Sequence, residues 1–469
     1  MDLRFHTKPW QHQLDALKFA LERPATMLAM DMGTGKSKVV VDLVVNTPVT
    51  RILILCPLAV VPVWPKQFAM HCIPEESIII SAPLAGSVVK KAETLMRDYE
   101  MAEFERKKFV FVTNYESARE EAMQKVIFFI KWDVVALDES HKIKDPSGIT
   151  SRMCSHLGAI AERRLCLTGT PMPHSPLDIF AQYRFLDTRI FGNSFYLFKA
   201  AHTVLGGWMN KQILRFRNMD TLNRKFYSIA FRVKKDDVLD LPDTIDQEQF
   251  CYLDGQTLQC YNRMERDFIV ELEDEVITAS NALVKLLKLQ QITSGFVGDG
   301  GLNLEIGNEK MRLFSDVLAN IEKDEPVVVF CRFHMDIEKI KAHCSKETIT
   351  CSELSGRINQ LSDWQGGRTR ILIAQIQSGG VGIDLTRARY SIYYSIGFSL
   401  GDYLQSRARI HRPGQTKHVV YIHLVAKDTV DEICLYALQK RWNVIESILS
   451  EFKMKGGDRS GLRKAQAVR

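Results

Sequence analysis

An α/β protein of two tandem lobes, each a parallel sheet flanked by helices, with a helical insertion between them, is what this chain predicts. Three observations carry that expectation. Apolar, β-branched runs alternate with helical patterns in two separate blocks, the pattern of repeated βαβ units. The region between the blocks reads as long helical patterns. Within the first block, a glycine-containing loop joins an apolar run to a helical one, and an acidic pair ends a later run, where parallel sheets bind ligands.

The first block holds apolar runs at residues 26–30, 51–56, 77–81, 109–112, 134–137 and 165–167, and the second at 327–330, 370–374, 391–394 and 419–424. Between them, NALVKLLKLQQ at 281–291 places its leucines at helical spacing. The polar, glycine-containing stretch GDGGLNLEIGNEK at 298–310 marks the expected break. The organisation this implies is a first lobe over 1–190, a helical insertion and connector over 191–300, a second lobe over 301–450 and a basic tail over 451–469. Residues 453–469 carry six basic residues, one acid and three glycines, and read as a frayed, solvated end rather than a dedicated DNA clamp.

Composition narrows the class. A chain of 469 residues with 46% hydrophobic and 25% charged residues has ample apolar material for two cores, which excludes a largely disordered protein. The net charge of +6 permits a nucleic-acid partner without implying one. The most apolar stretch, 52–65, contains Pro57, Pro62 and Pro65 and is shorter than the roughly 18 residues a spanning helix needs. No membrane association is expected, and the opening MDLRFHTKPW has no apolar segment of a secretory signal. Ten cysteines without a C-x-x-C pair suit reduced thiols in a cytosolic or nuclear compartment, and argue against a zinc finger or a disulfide scaffold.

The loop LAMDMGTGKS at 28–37 has the context of a phosphate cradle. Gly33 and Gly35 let the backbone approach closely, and Met32, Gly33, Thr34 and Gly35 present successive N–H groups at a helix N-terminus. Lys36 would reach the β- and γ-phosphates of a bound nucleotide, and the Ser37 hydroxyl would coordinate magnesium. Met30 stands where the motif usually has its leading glycine. The run Val134-Val135-Ala136-Leu137 ends in Asp138-Glu139-Ser140-His141. Asp138 can hold magnesium through water, and Glu139 can orient and deprotonate an attacking water. His141 has no other His or Cys at ligand spacing, so zinc is not expected there and a coupling role is.

DMGTGKS, DESHKIK and LTGTP (167–171) resemble motifs I, II and III of superfamily-two helicases. DESHKIKD, LTGTPMPHSPLDIF (167–180) and QSRARIHRPGQ (405–415) resemble the Swi/Snf-like branch, the DNA-translocating ATPases of chromatin and fork remodelling. The resemblance runs from about Lys8 to Arg441 and implies two RecA-like lobes, with ATP and magnesium as cofactors. It places adenine recognition on Gln13, in Q-L-D-A-L, with Gln11 as the alternative. CPLAVVPVWPKQF (56–68) resembles motif Ia, VTNYE (112–116) the next DNA-facing motif, VVVFCRF (327–333) motif IV, and QSGGVGIDLT (377–386) motif V, with Asp384 where many members have Asn. FRVKKDDVLDLP (231–242) resembles the connector, and NEKMRLFSDVL (308–318) the helix opening lobe two.

Carried onto these residues, the resemblance makes Arg409 and Arg412 arginine fingers, which would complete the site with Lys36 when the lobes close. Gly382 and Asp384 join the nucleotide-binding set, and His141, Thr168, Thr170 and Gln405 the coupling set. Lys66, Thr113, Asn114, Arg332, Ser378 and Gly379 are the expected contacts to the DNA backbone. Trp64 lies in the same segment, but its valine neighbours make packing the expected role. Ser395 and Phe398 replace the Asp and Trp of D-x-x-W-N-P, and His174 the Asn that follows motif III in many members.

The expected function is therefore an ATP-dependent translocase on double-stranded DNA, acting as a monomer with little sequence preference. Forked or branched DNA is an alternative substrate. Unwinding or annealing of branched DNA or RNA, and an ATP-gated DNA-binding scaffold, are the rival readings. A motor of this length without a bromodomain, chromodomain or SANT-like module is expected of a virus or bacterium, in the cytoplasm, or in the nucleus if eukaryotic.

Overall fold

A computed structural model describes residues 2–173, 175–206, 212–273, 279–299, 302–377, 383–440 and residue 448. The chain divides into two compact units at Asp240/Leu241. His174, Ser378, Gly379, Gly382 and the tail 451–469 lie outside the described residues.

Unit one contains β1 (Ala25–Met30), β2 (Arg51–Cys56), β3 (Ile78–Ser81), β4 (Lys108–Asn114), β5 (Val134–Asp138), β6 (Arg163–Leu167), β7 (Thr203–Gly206), β8 (Gln212–Phe216) and β9 (Ala230–Val233). Seven of these form one sheet in the order β3-β4-β2-β5-β6-β1-β9, and every pairing in it is parallel. β7 and β8 form a separate antiparallel hairpin. All six residues of β1 and all five of β5 are buried. A strand covered by helices on both faces needs apolar side chains at every position, which is why these runs do not alternate.

Unit two contains β10 (Thr244–Cys251), β11 (Phe296–Asp299), β12 (Leu302–Glu305), β13 (Val327–Cys331), β14 (Cys351–Leu354), β15 (Ile371–Gln375), β16 (Tyr390–Tyr393) and β17 (Val419–Ala426). Six form a parallel sheet in the order β10-β17-β16-β13-β15-β14, and β11 pairs antiparallel with β12. Along β13 the two-residue period sorts the core. Val327, Val329 and Cys331 enter one apolar cluster, and Val328 and Phe330 the other. Among the described residues no helix is long and apolar enough to cross a membrane.

The two α/β sheets are those the sequence predicts. The segment 191–300 differs from a purely helical insertion. It supplies the hairpin β7-β8 and the edge strand β9 to unit one, and the edge strand β10 and the strand β11 to unit two. It also supplies the helices Gly255–Glu273 and Ala279–Thr293. β10 escapes sequence reading because six of its first seven residues are exposed and it carries DQEQ; its order comes from pairing with β17, Thr244 opposite Val419 through Cys251 opposite Ala426. β9 has only four residues, and β14, CSEL, has a single large apolar side chain.

Candidate functional site

In unit one, β1 leads into the loop 31–35, and Lys36–Val45 is a helix. Gly33 and Gly35 hold φ of 83° and 84°, the left-handed region that glycine enters without a Cβ penalty. Thr34 Oγ1 donates to Asp31 O at 2.7 Å and closes the loop from inside. Thr34 O accepts two side chains, Gln13 Nε2 at 3.1 Å and His12 Nε2 at 2.9 Å. Gln13 Oε1 accepts from Trp10 N at 3.0 Å, so the amide braces the loop from the helix Gln11–Leu21. Lys36 is buried, and its Nζ donates to Met30 O at 2.8 Å and Asp31 O at 3.2 Å. Ser37 is half-buried on the first turn of the helix. Asp31 Oδ2 accepts from Lys235 N at 3.0 Å, which ties the loop to the segment after β9.

Asp138 ends β5, two strands from β1 in the sheet. Its carboxyl is buried, and its pKa is pushed up to about 7, first by desolvation and then by the neighbouring Glu139, while the Lys36 ammonium opposes the shift. Asp138 Oδ1 accepts from Glu139 N at 3.0 Å, and Oδ2 from Trp64 Nε1 at 3.2 Å. The Tyr115 hydroxyl donates to Asp138 O at 2.8 Å.

Glu139 has φ 50° and ψ 51°, a left-handed conformation that costs a non-glycine residue about 1–2 kcal/mol. The turn re-aims its side chain beside His141, whose Nδ1 lies 3.4 Å from Glu139 Oε2. Glu139 Oε2 is buried and makes no hydrogen bond. His141 Nδ1 also meets Thr168 Oγ1 at 3.3 Å, and Thr168 Oγ1 accepts from Thr170 N at 3.1 Å. A chain of contacts thus runs from Glu139 through His141 to the loop after β6. Ser140 makes a second link. Its Oγ donates to Gln182 Oε1 at 2.8 Å, and Gln182 Nε2 donates to Pro171 O at 2.7 Å and Asp178 O at 3.0 Å.

The donor set fits a magnesium nucleotide. The left-handed glycines open a backbone cradle at a helix N-terminus, Lys36 offers a cation beside it, Ser37 and Asp138 offer hard oxygens of the kind magnesium takes, and Glu139 keeps a buried oxygen with unused lone pairs.

Lys66 is exposed on the helix Val63–His71. Thr113 and Asn114 are buried at the end of β4, with Thr113 only 1% exposed and Asn114 Nδ2 donating to Glu116 Oε2 at 2.8 Å. Like Asp138 on β5, they stand at the C-terminal end of an interior parallel strand. Trp64 is buried as expected, but its N–H is aimed at a carboxylate. A buried indole N–H needs an acceptor, and that signal was present in the sequence. Gln182, a polar residue within the apolar helix Ile179–Leu186, carried a similar signal.

In unit two, Gln405 is buried and Arg409 half-buried on the helix Leu400–Ile410, and Arg412 follows it. Arg412 Nη1 donates to Ile383 O at 3.3 Å, and Leu385 N donates to Arg409 O at 3.1 Å. Gln415 Nε2 donates to Thr386 O at 3.1 Å and Ala388 O at 2.9 Å. The segment 383–388 is thereby pinned to the helix and the residues after it. Asp384 is exposed, and its Oδ1 closes its own turn on Thr386 N at 2.9 Å and Thr386 Oγ1 at 2.7 Å. The Arg332 guanidinium stacks on the Phe398 ring at 4.4 Å, while Ser395 Oγ accepts from Arg332 N at 2.7 Å and donates to Asp336. The two residues that depart from D-x-x-W-N-P are thus the ones that hold Arg332.

The profile of the SNF2-related domain matches residues 12–295, and that of the helicase conserved C-terminal domain matches residues 309–414. The chain is 24% identical to a Caenorhabditis elegans protein named SWI/SNF-related matrix-associated actin-dependent regulator of chromatin subfamily A-like protein 1 homolog, over 99% of this chain and 65% of that protein. It is 22% identical to the Danio rerio chromodomain-helicase-DNA-binding protein 1-like, over 95% of this chain and 44% of that one. The chain therefore spans less than two thirds of either relative. It is also 24% identical to putative protein p41 of Acyrthosiphon pisum secondary endosymbiont phage 1, over 96% of this chain and 99% of p41. Among solved structures it is similar to the Sulfolobus solfataricus SWI2/SNF2 ATPase core in complex with dsDNA, at 20% identity and a TM-score of 0.43, covering 95% of each chain.

Proposed function

Because the chain belongs to the SNF2-related family of helicase-like, nucleic-acid-dependent ATPases, we propose that it is an ATP-driven translocase on double-stranded DNA. The observation that carries this reading is the left-handed glycine loop bearing Lys36 at the end of β1, in the same parallel sheet whose strand β5 ends in the buried Asp138 and Glu139. Lys36 holds the terminal phosphates, and the N–H groups of Met32, Gly33, Thr34 and Gly35 line the cradle. Ser37 and Asp138 would hold magnesium, which when bound would neutralise charge on the phosphates. Glu139 orients the attacking water and takes its proton. Arg409 and Arg412 supply permanently charged, planar donors to the transferred phosphoryl group. His141, Thr168 and Thr170 relay the state of the site between the loops after β5 and β6, and Gln405 does so in unit two.

Backbone contacts from Lys66 and Arg332 suit a duplex tracked without sequence preference and with strong salt dependence. The outcome for the cell is displacement of bound proteins, fork regression or strand reannealing.

The test is ATPase rate alone and with single-stranded DNA, duplex, forked duplex and RNA, with Glu139→Gln as the control, together with displacement of a third strand from a triplex. Duplex stimulation that vanishes in Glu139→Gln, with triplex displacement, is the expected result. Stimulation by single strands or RNA alone would leave an unwinding helicase. A Lys36→Ala variant that keeps full biological activity would leave an ATP-gated scaffold.

A further inference from the structure

We infer that Trp64 is a positioning residue for Asp138, linking the helix Val63–His71 to the carboxylate that ends β5. The inference rests on the reading of Asp138 as a ligand of the magnesium nucleotide. Trp64 Nε1 lies 3.2 Å from Asp138 Oδ2, and both residues are buried. Packing alone does not explain the choice of side chain. Beside the fully buried Trp64 stands Phe68, at a ring separation of 6.3 Å, an apolar contact that a phenyl group would also make. The indole differs from phenyl in carrying a donor without an acceptor, and here that donor meets a carboxylate oxygen.

The two oxygens of Asp138 are held by two donors from different elements. Glu139 N, from the residue that follows β5, takes Oδ1, and Trp64 Nε1, from the helix, takes Oδ2. A carboxylate held at both oxygens is fixed in rotation, which is what a metal ligand requires of its supporting groups. The other side of the same helix exposes Lys66 and Met70. One rigid turn therefore carries an exposed cation on one face and a bond to Asp138 on the other. A load on Lys66 that shifts this helix changes the orientation of Asp138 without any residue between them having to move independently.

The experiment compares wild type, Trp64→Phe and Trp64→Leu in three measurements. These are affinity for a fluorescent ADP with and without Mg2+, duplex-stimulated kcat and KM, and thermal midpoint. In Trp64→Phe the gain in ADP affinity on adding Mg2+ is expected to shrink by about threefold or more, and duplex-stimulated kcat to fall by about tenfold, with the duplex KM little changed. The thermal midpoint should fall less in Trp64→Phe, which keeps an aromatic ring in the core, than in Trp64→Leu. A wild-type magnesium response and kcat in Trp64→Phe would overturn the inference.

A measurement on the unsubstituted side chain keeps the test open if Trp64→Phe folds poorly. The 15N indole resonance that responds to Asp138→Asn should shift when Mg2+ and ADP are added, and again with duplex; an unmoved resonance would overturn the inference. If wild-type hydrolysis is not stimulated by duplex, the motor reading fails. If wild type is stimulated and Trp64→Phe is equally so, only this inference fails.

Discussion

Gln13 lies directly on Gly35: a methyl group built on Gly35 would stand 2.2 Å from Gln13 Nε2. The same amide nitrogen donates to Thr34 O, so the close approach and the hydrogen bond are one arrangement. A residue expected to read adenine is also a brace for the phosphate loop.

Gly35→Ala should therefore fail twice. Its φ of 84° costs an alanine about 1–2 kcal/mol, and the new Cβ must displace Gln13. The expected outcome is a fall in ATP affinity of about tenfold or more, measured by fluorescent-nucleotide titration. Adding Gln13→Ala removes the collision, so the double variant should lose less than the sum of the single losses.

The buried Gln182 satisfies three partners, the buried Ser140 Oγ and the half-buried carbonyls of Pro171 and Asp178. Gln182→Leu keeps roughly the volume and strands these groups. Stability in urea should fall by about 1–3 kcal/mol, and hydrolysis should slow because the loops after β5 and β6 lose their common clamp. Unchanged stability would mean that water replaces the amide.

Lys310 and Asp431 form a buried ion pair in unit two, supported by Thr293 Oγ1 at 3.0 Å and Ala426 N at 3.3 Å to the carboxylate. Lys310→Met leaves the carboxylate uncompensated and should cost about 3–5 kcal/mol. Lys310→Met with Asp431→Leu should recover part of that loss. Chemical denaturation of both variants checks the difference.

His423 supplies a pH dependence. It is stacked on Tyr393 at 4.9 Å, and its Nε2 meets the Tyr403 hydroxyl at 3.0 Å. Burial lowers its pKa from 6.5 to about 4; Asp246 opposes the shift and Arg407 adds to it. The folded state thus holds imidazole neutral where the unfolded chain protonates it. Its contribution is fully present above pH 6.5 and is lost as pH falls toward 4, amounting to about 3 kcal/mol across that window. His423→Gln should flatten the dependence of the thermal midpoint between pH 6.5 and 4 relative to wild type.

Much of the fold was legible because buried parallel strands leave a dense local signal. The apolar runs at 26–30, 51–56 and 134–137 fall within β1, β2 and β5. Strands without that signal were not legible. β10 is exposed and polar, and β9 and β14 are short. Their order is imposed by the neighbours they pair with.

The sequence by itself determined the two parallel sheets and singled out the groups proposed to hold the nucleotide, because Gly33, Gly35, Lys36, Ser37, Asp138 and Glu139 stand out by residue type and by their place after an apolar run. Only the tertiary structure decided which side chains hold those groups. Trp64 reaches Asp138 across 74 positions, Ser140 reaches Gln182 across 42, and Gln13 settles on the loop 21 positions away. Such partners meet only when the sheet and its helices have packed, and a directional hydrogen bond between distant residues leaves no periodicity in the chain for a local reading to find.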